Sequence, residues 1–217
     1  MSKEGKGNVE RTNINESLKA LYFSGKVKPT LNKIVVELKS DPDNIELVLL
    51  GCQCLARSKD YDQLEAFADE SIRLDNKTAD GYYYKGLALH HSKGKEQEAL
   101  INFNEALTLD PESTSYLIAK ANTHLLLFTD YHLPIKFAEK HRDKGEACLT
   151  KIISLVEEKE NPSYKDLLNM GDVYMTLSRN LDAKKYYIHA MNAYETSEES
   201  NKDKNIYKDI VKGSNKV

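Results

Sequence analysis

A spacing of 35 residues recurs along this chain and constrains its fold more than any other feature. Gly51 and Gly86 are 35 residues apart, and Ala121 follows after another 35. Gly171 lies 50 residues beyond Ala121, so about half a repeat of additional chain separates these two. Similar segments with apolar side chains at helical spacing surround each small residue. A period of this length predicts a stack of repeated helical units, each packed on its neighbours.

The third unit shows how such a unit is expected to pack. Gly86 in its first helix, opposite Ala99 in its second, lets two helix backbones approach closely. Phe103 is four residues after Ala99, so the two share one helix face and the ring can fill the wedge toward the next pair. A single helix pair cannot bury this face alone. The pattern therefore requires neighbouring pairs to stack.

These residues resemble the tetratricopeptide repeat (TPR), a unit of ~34 residues that forms two antiparallel helices. The third and fifth units match best, through Gly86, Ala99, Phe103, Ala106, Leu109, Asp110 and Pro111, and through Gly171, Tyr174, Ala183, Tyr187 and Ala190. The first two units match more loosely, and the fourth has Lys151 where an aromatic residue is usual. The resemblance covers roughly residues 13–197. It implies an all-α, right-handed α-solenoid of about five stacked antiparallel helix pairs with a C-terminal capping helix.

The apolar pattern predicts eleven helices and no strand, because no segment alternates with a period of two for long enough. The predicted helices span 13–24, 28–40, 44–58, 61–75, 78–92, 95–109, 113–128, 133–159, 162–178, 182–197 and 200–212. Residues 1–12 are predicted to be a disordered arm, 13–197 the helical-repeat domain, and 198–217 a capping helix and polar tail. The long helix 133–159 is expected either to project and contact a partner or to pack on the neighbouring pair.

Several helix starts carry local signals. Pro42, Pro111 and Pro162 each follow an Asp or Asn, which predicts proline at the first helical position behind a capping residue. Asp60 and Gln63 are three residues apart before an apolar run, as in a capping box.

Composition and charge argue against several classes of protein. The chain has 31 Lys+Arg against 34 Asp+Glu, a net charge of −3, which disfavours nucleic-acid binding. No apolar run approaches the ~20 residues that span a bilayer, and the first 13 residues lack the apolar stretch of a secretory signal. Three cysteines are too few for a disulfide framework. We therefore expect a cytoplasmic protein that binds no nucleic acid and does not insert into membranes.

The sequence shows no pattern of catalysis or metal binding. Cys52 and Cys54 are two residues apart on a helix and point to different sides. His90 and His91 are adjacent, with no cysteine or carboxylate at the spacing that completes a zinc site. Phosphate-binding glycine loops, HExxH and GxSxG are absent from the sequence. We expect no enzyme activity, no catalytic residue, no cofactor and no bound metal.

The resemblance implies a partner site on the concave face, which the first helix of each pair lines in this family. The predicted groove residues are Val48, Cys52, Leu55, Tyr83, Leu87, His90, Ile118, Asn122, Leu125 and Leu168. This stripe is unusually apolar, and exposed apolar surface of that extent marks a partner site unless the N-terminal arm or a neighbouring helix covers it. Tyr83 is the expected anchor, because tyrosine buries a large area at little entropic cost.

Family members that bind chaperone tails clamp a C-terminal carboxylate with Lys, Arg and Asn. Asn15 and Lys19 fit that pattern, but Leu49, Asp80 and Tyr84 occupy the other positions, which argues against a carboxylate clamp. The resemblance instead implies a scaffold or adaptor that binds a peptide or helix of another protein through its apolar side. The alternative is a chaperone or co-chaperone that shields an apolar client segment.

Overall fold

The computed structural model describes residues 3–196, with side chains from residue 11 onward. Ten helices lie in this part of the chain: α1 (Lys3–Phe23), α2 (Val27–Ser40), α3 (Ile45–Ser58), α4 (Tyr61–Leu74), α5 (Ala79–His90), α6 (Glu96–Leu109), α7 (Thr114–Phe128), α8 (Ile135–Glu157), α9 (Tyr164–Thr176) and α10 (Asn180–Glu195). They form five sequential antiparallel pairs, from α1–α2 to α9–α10, and each pair packs on the next. No residue between 3 and 196 lies in a strand, so the all-helical prediction is confirmed.

The predicted boundaries of α2 to α10 agree with the structure to within two residues. The first helix differs, because it begins at Lys3 instead of residue 13. The segment 1–12, predicted as a disordered arm, therefore contributes helical backbone from residue 3. Once a helix exists, each added residue gains a hydrogen bond, and no proline interrupts this segment. The predicted capping helix 200–212 and the polar tail lie outside the described residues.

Three helix pairs are held by an aromatic ring of the second helix that lies on a glycine of the first. These contacts are Gly51 with Phe67, Gly86 with Phe103, and Gly171 with Tyr187. A Cβ atom at any of the three glycines would lie 2.5 to 2.7 Å from a ring carbon, closer than side-chain atoms pack. A side chain at any of these positions would therefore have to displace the ring, and the 35-residue spacing between Gly51 and Gly86 reflects this contact.

The fourth pair, α7–α8, is built differently. Its glycine, Gly145, lies on the second helix and contacts Leu125 of the first. A Cβ atom at Gly145 would lie 3.1 Å from the Leu125 side chain and 3.5 Å from the carbonyl oxygen of Ala121. Ala121 and Gly145 therefore bring the two backbones together, and a leucine takes the place of the ring.

Helix α8 has 23 residues against 15 in α7, and its two ends behave differently. Ile152 and Val156, toward its C-terminus, are buried in the core that α7 and α9 share. Ile135 and Phe137, at its N-terminus, are 78 % and 59 % exposed. The C-terminal turns thus pack on the neighbouring pair, whereas the N-terminal turns present apolar side chains outward.

The prediction that proline opens three helices is wrong. Pro42, Pro111 and Pro162 lie two or three residues before α3, α7 and α9, in the connecting segments. Proline favours such turns because its ring fixes φ and restricts the preceding residue. The N-cap of α3 is instead Asn44, and that of α9 is Ser163, each accepting a hydrogen bond from a backbone N–H of its helix.

Replacing Gly86 tests the contact between ring and glycine. We expect Gly86→Leu to lower the free energy of unfolding by ~1–3 kcal/mol or more, because the new side chain must displace the fully buried ring of Phe103. Ala66→Leu, which adds the same side chain at an exposed position of α4, is the matched control. Urea unfolding monitored by circular dichroism measures both. An unchanged midpoint for Gly86→Leu would contradict the role assigned to this contact.

Candidate functional site

The first helices of the pairs lie along one side of the stack. α1 contacts α3, α3 contacts α5, α5 contacts α7, and α7 contacts α9. Within residues 3–196, the second helices of neighbouring pairs make no comparable contact. The first helices are therefore closer together and form the inner face, and the second helices form the outer face.

The inner face is closed between α3 and α5. Val48, Cys52 and Leu55 are buried, with at most 1 % of each residue exposed. Cys52 and Leu55 share a core cluster with Ala88 of α5, and Leu87 packs against the same cluster. These three predicted groove residues therefore belong to the core and offer no surface to a partner. The prediction failed at this end because adjacent first helices lie close enough for α5 to cover α3.

Tyr83, the predicted anchor, is half-buried and engaged within the chain. Its ring stacks on Tyr116 of α7, with 4.9 Å between centroids and 28° between planes, and its centroid lies 6.2 Å from that of Phe103. The Tyr116 hydroxyl donates a hydrogen bond to Asp80 at 2.7 Å. Burial, with a smaller effect of the Asp80 charge, raises the pKa of Tyr83. This cluster joins α5 to α7, so truncating Tyr83 would weaken the stack itself.

Other predicted groove residues also serve the stack. The Nδ1 atom of His90 lies 2.9 Å from the Thr123 hydroxyl oxygen, which links α5 to α7. Burial and the neighbouring His91 lower the pKa of His90. Leu125 contacts Gly145 of α8. Leu168 packs against two core clusters, one shared by α7 to α10 and one between α9 and α10.

The inner face is open between α7 and α9. Ile118 and Asn122 line a cavity of about 250 Å³ there, together with Asp172 and Met175 of α9. Asn122 is exposed and Ile118 is half-buried. The hydroxyl of Tyr187 donates to the Asp172 carboxylate at 2.6 Å, which holds that carboxylate in place. Apolar surface and hydrogen-bonding groups therefore meet in one accessible hollow, which we call the inner cavity.

A larger hollow lies on the other side of α7, between α6 and α8, and we call it the outer groove. It has a volume of about 630 Å³ and is lined by Gln97, Leu100, Ile101, Asn104, Leu107, Leu117, Lys120, His124, His141, Lys144, Ala147, Cys148 and Lys151. None of these residues is acidic. Among its three lysines, the sequence singles out only Lys151, which stands where the repeat usually has an aromatic residue. Lys120 and Lys144 carry no such signal, because the sequence does not show which side chains surround them in the folded chain.

Two histidines meet at the outer groove. The Nδ1 atoms of His124 and His141 are 2.9 Å apart, so one ring donates a hydrogen bond and the other must be neutral to accept it. Burial, followed by His141 and the charges of Lys144 and Lys120, lowers the pKa of His124 to about 4. Burial and neighbouring lysines also lower the pKa of His141. The groove therefore holds both rings neutral at pH 7, beside cationic lysines.

Large apolar side chains are exposed around the turn between α7 and α8. They are Leu126, Phe128, Tyr131, Ile135 and Phe137. The Arg142 guanidinium lies over the Phe128 ring, 5.9 Å from its centroid. Exposed apolar side chains that cluster in this way mark an interaction surface more often than scattered ones do.

The described residues offer little for other chemistry. Among them, no three His, Cys, Asp or Glu side chains converge as metal ligands. Cys52, Cys54 and Cys148 are buried free thiols, and burial raises the pKa of each, which disfavours the reactive thiolate. None of the described helices combines the length and the apolar character needed to cross a membrane.

Solved TPR structures share this fold over most of the chain. The TPR protein TTC0263 from Thermus thermophilus aligns with a TM-score of 0.66 and 16 % identity, over 94 % of this chain and 98 % of that one. A TPR protein from Parabacteroides merdae gives 0.64 and 13 %, over 94 % and 70 %. The protein MamA gives 0.55 and 17 %, over 88 % and 93 %. No family model and no curated protein matches the sequence. The likeness confirms the TPR fold.

The histidine pair predicts a pH dependence of stability. The folded-state pKa of His124 lies below the value of ~6.5 in an unfolded chain, so the unfolded state takes up the proton first as pH falls. Stability that is present above pH ~6.5 is therefore lost as the pH falls to about 4, by at most ~3 kcal/mol at ~1.4 kcal/mol for each pH unit, because solvent screens part of the effect.

Urea unfolding across this range checks the effect. His124→Gln keeps a hydrogen-bonding side chain that does not titrate, so its stability should fall less than that of the wild type. His132→Gln, at an exposed turn position, is the control and should follow the wild type. Parallel curves for wild type and His124→Gln would contradict the prediction.

Proposed function

We propose that this chain is a protein-interaction scaffold or adaptor that holds a segment of another protein in the inner cavity. The observation that carries the proposal is that Ile118, Asn122 and Met175 stay accessible between α7 and α9, whereas the corresponding positions of α3 are buried. A TPR stack supports such a role because every pair is fixed by its neighbours, which makes the inner face an extended and preorganised surface.

The chemistry of the inner cavity fits a short peptide segment with one apolar side chain. Ile118 supplies fixed apolar surface, and the flexible side chain of Met175 can adapt to the shape of the bound group. The Asn122 amide both donates and accepts hydrogen bonds, which suits the backbone of a peptide. Apolar burial rather than charge would carry the affinity, so we expect only a modest salt dependence.

A second candidate function is a chaperone that shields an apolar client segment. The exposed side chains around the α7–α8 turn, including Tyr131, Ile135 and Phe137, favour it because they offer apolar surface outside the inner cavity. A chaperone of this kind would suppress aggregation of its client, and Ile135→Asp with Phe137→Asp would abolish that suppression. A scaffold that uses the inner cavity would keep its partners in the same double variant.

Asn122→Arg tests the scaffold proposal, because it places a long cationic side chain at the mouth of the inner cavity. Asn32→Arg makes the same substitution at an exposed position of α2 and is the matched control. We expect partners captured by the wild type and by Asn32→Arg to be lost from Asn122→Arg. The affinity of an identified partner should fall about thirtyfold, corresponding to ~2 kcal/mol for the loss of a central contact.

Capture from an extract of the source cells, followed by titration of each identified partner, provides the measurement. Circular dichroism must first show that both variants keep the helical content of the wild type. Equal affinity for the wild type and a folded Asn122→Arg would exclude the inner cavity as the binding site.

A further inference from the structure

We propose that the outer groove is a second binding site, and that it takes an acidic segment of a partner protein that carries apolar side chains between its carboxylates. The outer groove lies on the side of α7 opposite to the inner cavity, since Lys120 and His124 are each two residues, or ~200°, from the nearest inner-cavity position. The two hollows share no lining residue, so binding in the outer groove does not require binding in the inner cavity.

The outer groove carries positive charge that no acidic neighbour offsets. Lys120, Lys144 and Lys151 come from two helices to one hollow that no carboxylate lines. Lys120 and Lys144 form no ion pair with any described residue, and Lys151 donates to the carbonyl oxygen of Pro111 at 2.9 Å. Four other lysines form ion pairs, among them Lys85 with Asp69 at 2.7 Å. The outer groove thus holds uncompensated positive charge in a chain whose net charge is −3.

These lysines act on the groups at the base of the groove. Burial makes the largest contribution to the low pKa of His124, and Lys144 and Lys120 lower it further. At Cys148, burial raises the pKa, and Lys120 and Lys151 oppose that effect. The positive potential of the lysines therefore reaches the groups at the base of the groove.

The apolar floor decides which kind of anion fits. Leu100 and Leu117 are nearly buried at the base, and Ile101 at the rim is 60 % exposed. A phosphate backbone would leave this surface uncovered. A peptide with leucine or phenylalanine between Glu or Asp residues would cover the apolar floor with its apolar side chains and place its carboxylates next to the lysines.

A displayed library of random 12-residue peptides provides the probe. It is selected in parallel on the wild type, on the groove variant Lys120→Gln/Lys144→Gln, and on the control variant Lys28→Gln/Lys33→Gln, whose lysines are exposed on α2. Each double variant loses two positive charges, and both keep Lys151 with its hydrogen bond to the carbonyl oxygen of Pro111. We expect peptides that mix acidic and apolar residues to be enriched on the wild type and the control but not on the groove variant.

Titration then fixes the size of the effect. For a selected peptide we expect about tenfold weaker binding to the groove variant, the same loss when its Glu residues are changed to Gln, and weaker binding in 0.5 M than in ~0.1 M salt. The proposal is overturned if enriched peptides are not acidic, or if the groove variant selects the same peptides as the wild type. It is also overturned if single-stranded RNA binds the groove in a lysine-dependent way and competes out every peptide.

Discussion

An aromatic ring seated on a glycine sets the distance between two helices, and the rest of the stack follows from that distance. Because the rings of Phe67, Phe103 and Tyr187 leave no room for a Cβ atom, three of the five pairs share one internal geometry. The α7–α8 pair departs from it, with Ala121 facing Gly145. Both hollows, the inner cavity and the outer groove, flank α7 of this exceptional pair. The change in packing and these two hollows thus occur at the same place.

The two halves of the inner face differ in what their side chains do. Between α3 and α7, bulky residues such as Tyr83, Tyr116 and Leu87 fill the space between neighbouring first helices and bind the pairs together. Between α7 and α9, the smaller set around Asn122 leaves that space open. The part of the inner face that stabilises the stack, from α3 to α7, is therefore different from the part that is accessible, between α7 and α9. The inner face thus holds the stack together at one end and is accessible to solvent at the other.

The sequence predicted the repeat and the helices because both depend on local features. The spacing of Gly51 and Gly86, and apolar residues at helical intervals, need no knowledge of distant contacts. The predicted groove was less accurate, because burial of Val48 and Cys52 depends on the distance between α3 and α5, which no local pattern specifies. The outer groove was missed for a related reason. The lysines of α7 and α8 are ordinary in sequence, and only the folded chain shows that no carboxylate accompanies them.

Helix α7 exposes Asn122 on one side and Lys120 on the other, so one rigid element lies between two hollows. A ligand that binds at the inner face and shifts or rotates α7 also changes the distance from α7 to α6 and α8. Ligands on opposite sides would then influence each other without touching, and thermodynamic linkage requires the coupling free energy to be the same in both directions. With a helix as the shared wall, the sign of that coupling depends on whether both ligands favour the same position of α7.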